Sequence, residues 1–316
     1  MREAVKWVTG LAAVGMFAVL LMGALVTSTG SGEGCGRSGP LCKGEVIPDF
    51  AYDTAREYGH RAVTGVEGIL ILAASAGLWR YWRGRREVRV LVPTMLFFLF
   101  LQAGLGAWAV MAPQSDEVLA LHFGISLVAF ASVLLALLFV LQADGPVDAL
   151  RDRPMPGVLR WAIWGLLAYI YVVVYLGAYV RHTEATLACR DWPLCNGSVF
   201  PGLTGPEGIV FAHRLAAGLG VLAVAGVWFW TWRLRARRPD LSRAATVALV
   251  LILLQSLSGA AVVLTGATLL SGLAHSALMA LLFGSLSYLC LQCLPRPVAA
   301  RTARAPRYAS SPSQAG

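Results

Sequence analysis

The chain has 316 residues, 57% of them hydrophobic and only 14% charged, and its mean hydropathy is +0.66. A soluble domain of this length carries far more charge, so composition excludes one and marks an integral membrane protein. The net charge of +9 does not point to nucleic acid, because 19 of the 26 Lys and Arg fall in five blocks on alternate loops.

Eight apolar runs follow one another at about 7–28, 60–79, 90–112, 118–142, 158–181, 209–232, 244–265 and 270–294. Each is near or above the roughly 20 residues that span a bilayer as a helix, which predicts an all-α membrane protein. The first run follows Arg2 and Lys6. It is long for a signal-peptide core, and no Ala-x-Ala site follows at Thr27-Ser28-Thr29-Gly30, so it reads as a retained helix. No Arg-rich, acid-poor transit sequence is present, which favours a bacterial plasma membrane. The basic blocks lie at Arg2–Lys6, Arg80–Arg89, Arg151–Arg160, Arg233–Arg243 and Arg296–Arg307. By the positive-inside rule both termini are then cytoplasmic.

Between the first two runs lies a Gly-rich outer loop holding Cys35 and Cys42, and the second helix is expected to begin at His60. Gln102 sits inside the third run, a short connection with Pro113, Asp116 and Glu117 follows, and His122 opens the fourth. Segment 143–158, with Asp144, Gly145, Pro146, Pro154 and Pro156, reads as a cytoplasmic linker. The second half then repeats the first. Cys189 and Cys195 lie in its outer loop, His213 opens the sixth run, Gln255 lies inside the seventh and His275 opens the eighth. The interval from His60 to His122 is 62 residues, as is that from His213 to His275. Gln102 and Gln255 each precede a histidine by 20, and Gly23 and Gly177 each precede a cysteine by 12. This predicts a tandem duplication of a four-helix unit, inserted as parallel repeats. The expected units are a bundle over 1–142, the linker 143–158, a second bundle over 159–294 and an unstructured cytoplasmic tail over 295–316.

Even-numbered spans all start at the outer face, so His60, His122, His213 and His275 share one level, two per bundle. A lone histidine at a helix end is usually a satisfied interfacial residue, and His182 is read so. Intramembrane ionisable groups in equally spaced pairs point instead to a cofactor. Two histidines on facing helices can supply both axial ligands of a haem iron. Zinc wants three or four grouped ligands, and the second half offers no nearby carboxylate. Arg61 and Arg214 each follow a histidine, as partners for haem propionates or as side chains reaching to headgroups. For Gln102 and Gln255 helix packing is the plainer expectation.

The halves differ in one place that matters for chemistry. Glu57 stands three residues before His60, whereas Val210 stands three before His213. A carboxylate beside only one site separates a reacting site from an electron-transfer site. Glu67, deeper in the second run, is a second pocket candidate. The outer cysteine pairs are expected as short-loop disulfides, with redox-active pairs, or Cys35 touching substrate, as alternatives. Cys290 and Cys293 are read as structural.

Glu57-x-x-His60-Arg61, His122, His213-Arg214, His275 and the paired loop cysteines, set in eight duplicated helices, resemble the haem A synthase family in its bacterial form. The resemblance covers about residues 5–294. It implies that haem O binds between His60 and His122, and haem b between His213 and His275. It further implies oxidation of the C8 methyl of haem O, by successive hydroxylations, to the formyl group of haem A. Glu57 would be the catalytic carboxylate and Cys35–Cys42 a disulfide important for activity. A haem O synthase (a farnesyltransferase) and an electron acceptor are the implied partners. The rival readings are a bis-histidine dihaem electron carrier and a haem-binding chaperone.

Overall fold

The computed structural model describes residues 1–37, 41–49, 51–112, 115–143 and 145–295. Its helices are α1 (Arg2–Thr29), α2 (Tyr52–Trp82), α3 (Arg86–Met111), α4 (Asp116–Gln142), the one-turn α5 (Pro146–Leu150), α6 (Gly157–His182), α7 (Gly205–Arg233), α8 (Pro239–Leu264) and α9 (Leu269–Gln292). Eight of them, all but α5, are long and apolar enough to cross a membrane among the described residues. No β-strand forms among those residues; Cys42–Glu45 and Cys195–Ser198 make isolated bridges in the two disulfide-bearing loops. The protein is an all-helical, multi-pass membrane protein.

Backbone satisfaction explains the architecture, since in hydrocarbon only a helix pairs every N–H and C=O within its own segment. α1 stops at Gly30, whose φ of 66° turns the chain while its N–H closes on Val26 and Thr27. α7 and α8 start with a proline in the first turn, where the missing N–H costs nothing.

α1 packs on α2 and α4, and α3 packs on both α2 and α4. In residues 157–292, α7 packs on α6 and α8, and α9 on α6 and α8. α1 and α4 also pack against α9, and α4 against α6. One apolar core runs through these contacts, with Leu127, Phe130, Ile163, Phe283 and Leu286 nearly sealed from solvent. Close approach depends on glycine: a Cβ on Gly124 of α4 would stand 3.0 Å from the Tyr171 hydroxyl of α6. Outward, Trp7, Phe97, Phe100, Trp161, Leu222 and Leu257 are exposed, as a lipid-facing surface requires.

Away from the disulfide loops, charges tie the linker to both halves. Arg151 bridges Glu87 at 2.6 Å and Asp148 at 3.2 Å, and donates to the Leu294 carbonyl. Arg238, 1% exposed, binds Asp240 and donates to the carbonyls of Arg153 and Gln292. The linker is therefore packed and partly helical rather than a loose connection. The expected tail lies outside the described residues apart from Pro295, as do Pro113 and Asp144.

The helix starts depart from expectation. α2 begins at Tyr52 and not at His60, and α4 at Asp116 and α7 at Gly205, ahead of their apolar runs, while α9 begins at Leu269, where its run was expected. The polar turns that precede the apolar runs are themselves helical, with Asp53, Asp116 and Glu117, and Glu207 favourably placed at helix N-termini. Hydropathy sees where lipid begins, and the helix starts earlier. Each histidine consequently sits about two turns inside its helix.

Candidate functional site

His60 and His213 each lie eight residues into their helices, and His122 and His275 six. His122 lies within electrostatic range of His60, and His275 within range of His213. The structure thus brings the four imidazoles together as two pairs. His182, at the end of α6, is also within range of His122 and of Asp116, so a residue of the second half borders the first pair.

What faces the rings is glycine. A Cβ on Gly23 of α1 would stand 3.5 Å from His60 Cε1, and one on Gly177 of α6 only 2.8 Å from His213 Cε1. On α8, a Cβ at Gly259 would approach His275 Cε1 to 3.3 Å. Gly23 and Gly177 are legible in the sequence only as landmarks of the repeat; the structure shows that each makes room for an imidazole.

The pairs are anchored differently. Gln102 donates from Nε2 to the His122 carbonyl at 3.0 Å and to Ser126 Oγ at 2.8 Å, joining α3 to α4. Gln255 Nε2 instead lies 3.2 and 3.1 Å from the two ring nitrogens of His275, with Ser258 Oγ 2.9 Å from Nδ1. Gln102 is a packing residue as expected, and Gln255 touches the imidazole directly. Ser126 and Ser258 carried no sequence signal.

Among the described residues, Nδ1 of His60, His122 and His213 is buried without a hydrogen-bond partner. Orphaned buried polar atoms are costly and call for a ligand or water. Among the described residues no three of His, Cys, Asp and Glu gather as a metal-ion cluster. That disfavours zinc. Paired imidazoles against glycines, in an apolar bundle, suit a flat group with two open axial positions.

Glu57 is 4% exposed. Its Oε2 accepts the Cys35 backbone N–H at 2.7 Å, and its Oε1 pairs with the Arg61 guanidinium. Arg61 also donates to the Leu41 carbonyl. Cys35 and Cys42 form a disulfide, so Glu57 ties α2 to the disulfide loop one turn before His60. In the other half, Val210 is buried in a small apolar cluster with Cys189 and Cys195, which are disulfide-bonded as well. Arg214, with Val210 where the first half has Glu57, donates to the carbonyls of Leu194 and Cys189 and lies within electrostatic range of Asp191. Both arginines thus hold their loops. The second loop is further braced by Asp191, whose carboxyl is kept below its ordinary range by the N–H groups of Gly197 and Asn196. Cys290 and Cys293 are buried free thiols, and Cys290 packs on the Ile163 carbonyl.

Fold and site define a class: a multi-pass membrane protein with two partly buried histidine pairs and two disulfide loops. Residues 6–287 match the family of cytochrome oxidase assembly proteins termed COX15-CtaA. The chain belongs to that family. It is 46% identical over 283 residues to a heme A synthase of Symbiobacterium thermophilum, covering 89% of this chain and 92% of that one. Identity to the heme A synthase of Geobacillus kaustophilus is 42% over 307 residues, covering 97% and 95%. For that of Alkalihalophilus pseudofirmus it is 39% over 290 residues, covering 92% and 97%.

Proposed function

We propose that this protein is a haem A synthase, a membrane oxidoreductase that converts the C8 methyl of haem O to the formyl group of haem A. The observation that carries the reading is the pairing of His60 with His122 and of His213 with His275 at matching depths in their helices. The relatives' name supports it, and so does the placing of one buried carboxylate beside one pair only.

In this reading residues 1–142 and 159–294 are repeated bundles about the linker 143–158. Matched isolated bridges and matched 3-10 turns, Ser31–Glu33 and Ala185–Leu187, support the repeat. Haem O as substrate lies between His60 and His122, and His213 and His275 hold a resident haem b. That haem supplies one-electron redox chemistry when bound. The orphaned ring nitrogens of His60, His122 and His213, and the glycines against His60, His213 and His275, support the two assignments. The bilayer is a bacterial plasma membrane, with the disulfide loops outside and both termini cytoplasmic. The substrate comes from a haem O synthase (a farnesyltransferase), and an electron acceptor takes the reducing equivalents.

Each hydroxylation removes two electrons and two protons while adding the oxygen of water, and the geminal diol formed after two rounds loses water to leave the aldehyde. Glu57 is the carboxylate suited to this work. It is held by Arg61 and the Cys35 N–H, and a carboxylate so placed can stabilise positive charge at the methyl carbon or accept a proton. Arg61 and Arg214 stand at the level where propionates would meet water.

The test is pigment extraction from the purified protein and from its His60→Ala and His213→Ala variants. We expect haem b together with haem O or haem A in the parent. His60→Ala should lose only the farnesylated haem and His213→Ala only haem b. Two equivalents of haem b in the parent would point to the electron carrier and overturn the proposal.

A further inference from the structure

We propose that Glu67 is the specificity-determining residue of the first site, hydrogen-bonding the hydroxyl of the hydroxyethylfarnesyl chain that distinguishes haem O from haem B. This rests on the reading of His60 and His122 as the substrate site.

Glu67 lies on α2 at 2% exposure, and among the described residues neither carboxyl oxygen has a hydrogen-bond partner. A carboxylate in that state inside a membrane is among the costliest side chains a helix can carry. Such a site tolerates the neutral acid, which offers one O–H donor and an acceptor oxygen. It is a pair that a hydroxyl group answers.

Position selects which hydroxyl. Seven residues separate His60 from Glu67, two helical turns, so both lie on one face with Glu67 about 10 Å deeper at ~1.5 Å per residue. A haem ligated at His60 keeps its anionic carboxylates at the water boundary, where charge is solvated. Its opposite edge then points into the bundle, and that edge of haem O bears the hydroxyethylfarnesyl group. Haem B carries a vinyl group at the same place and has nothing to offer a carboxylic acid.

The other half supplies an internal control. Offsets of 153 and 154, which relate the histidines and the loop cysteines, place Gly220 opposite Glu67 and Tyr169 opposite Gly15. In the first half Gly15 of α1 leaves the room that Glu67 fills, for a Cβ there would collide with Glu67 Oε2. In the second half the sizes are exchanged. Tyr169 on α6 packs against Gly220 on α7, whose Cβ would stand 3.6 Å from the ring, and the phenol donates to the Ala216 carbonyl at 2.7 Å. The deep wall of the second site is thus filled and satisfied, while the first presents a polar group that no atom of the described residues answers. The first wall reads a hydroxyl and the second does not.

The experiment uses the full-length protein in lipid nanodiscs with the His213/His275 site loaded. Haem O and haem B are titrated separately into the first site of the parent, Glu67→Leu and Glu67→Gln. The expected result is a haem O affinity at least about tenfold lower in Glu67→Leu, the worth of one strong buried hydrogen bond, with haem B binding unchanged. Glu67→Gln keeps a donor and an acceptor and should stay within a few-fold of the parent. Equal losses for both haems, or an unchanged preference in Glu67→Leu, would overturn the proposal. Retention of haem b at the second site reports that each variant is folded. If His60→Ala still binds haem O, the first-site assignment itself fails, whatever Glu67 does.

Discussion

Glu57 shows how one side chain can join a loop to a site. Its two oxygens are divided between the Cys35 N–H and Arg61, so a substitution disturbs chemistry and anchoring together. Glu57→Gln keeps the shape and removes the charge. It should retain both haems while haem A formation falls by two orders of magnitude or more, on the scale of a lost general base; product analysis by chromatography checks this, and normal output would refute the role. The glycines facing the rings yield a graded pair. Gly177→Ala places a methyl 2.8 Å from His213 Cε1, whereas Gly23→Ala places one at an ordinary 3.5 Å from His60. Overpacking of the first kind costs about 1–3 kcal/mol. Gly177→Ala should therefore lower haem affinity at the second pair by roughly tenfold and Gly23→Ala should change the first far less, as read from the absorbance of the purified variants. Gln255 and Ser258 at His275 were not legible as ring partners, because hydrogen-bond direction depends on rotation about helix axes that sequence spacing leaves free.

At the scale of elements, the two disulfide loops share a frame and differ in what they hold. The first carries the Cys35 N–H that Glu57 accepts; the second packs its disulfide on Val210. Replacing Cys35 and Cys42 by Ser should release Glu57 and depress turnover with haem still bound. The same change at Cys189 and Cys195 should instead cost about 2 kcal/mol of stability, as for a short-loop disulfide, and leave the rate of the remaining folded protein close to normal. Thermal denaturation beside turnover separates the two outcomes. Asp191 adds a pH dependence to the second loop. A carboxyl held below its ordinary value stabilises fully above that value and progressively less as pH falls through the lowered one. Limited proteolysis should cut this loop faster below about pH 4 than at neutrality, and Asp191→Asn should remove the difference. The sequence marked both loops by their cysteines, but the early starts of α2, α4 and α7 escaped it because polar residues extend those helices beyond the apolar runs.

The whole molecule is held at both ends by different means. Near the disulfide loops are the sites, with glycines and orphaned ring nitrogens, and at the far end is a dense set of buried ion pairs joining the linker to both halves. Arg151→Ala would deprive Glu87 and Asp148 of a buried partner, and breaking such a pair costs about 3–5 kcal/mol. The variant should melt well below the parent in detergent, whereas Arg80→Ala, on the surface, should not. Little of this network was legible, for Arg85, Arg151 and Arg238 lie in basic blocks that read as topology signals alone.

Composition and spacing by themselves determined the membrane class and eight helices, and pointed to the residues worth watching, because hydrophobic length and equal intervals are properties of a line. Only the tertiary structure decided that Glu57 is spent on Cys35 and Arg61, that Gly23 and Gly177 face imidazoles, and that Glu67 has no hydrogen-bond partner among the described residues. Those facts depend on how helices rotate and approach one another, which is settled by side chains distant in sequence competing for the same space.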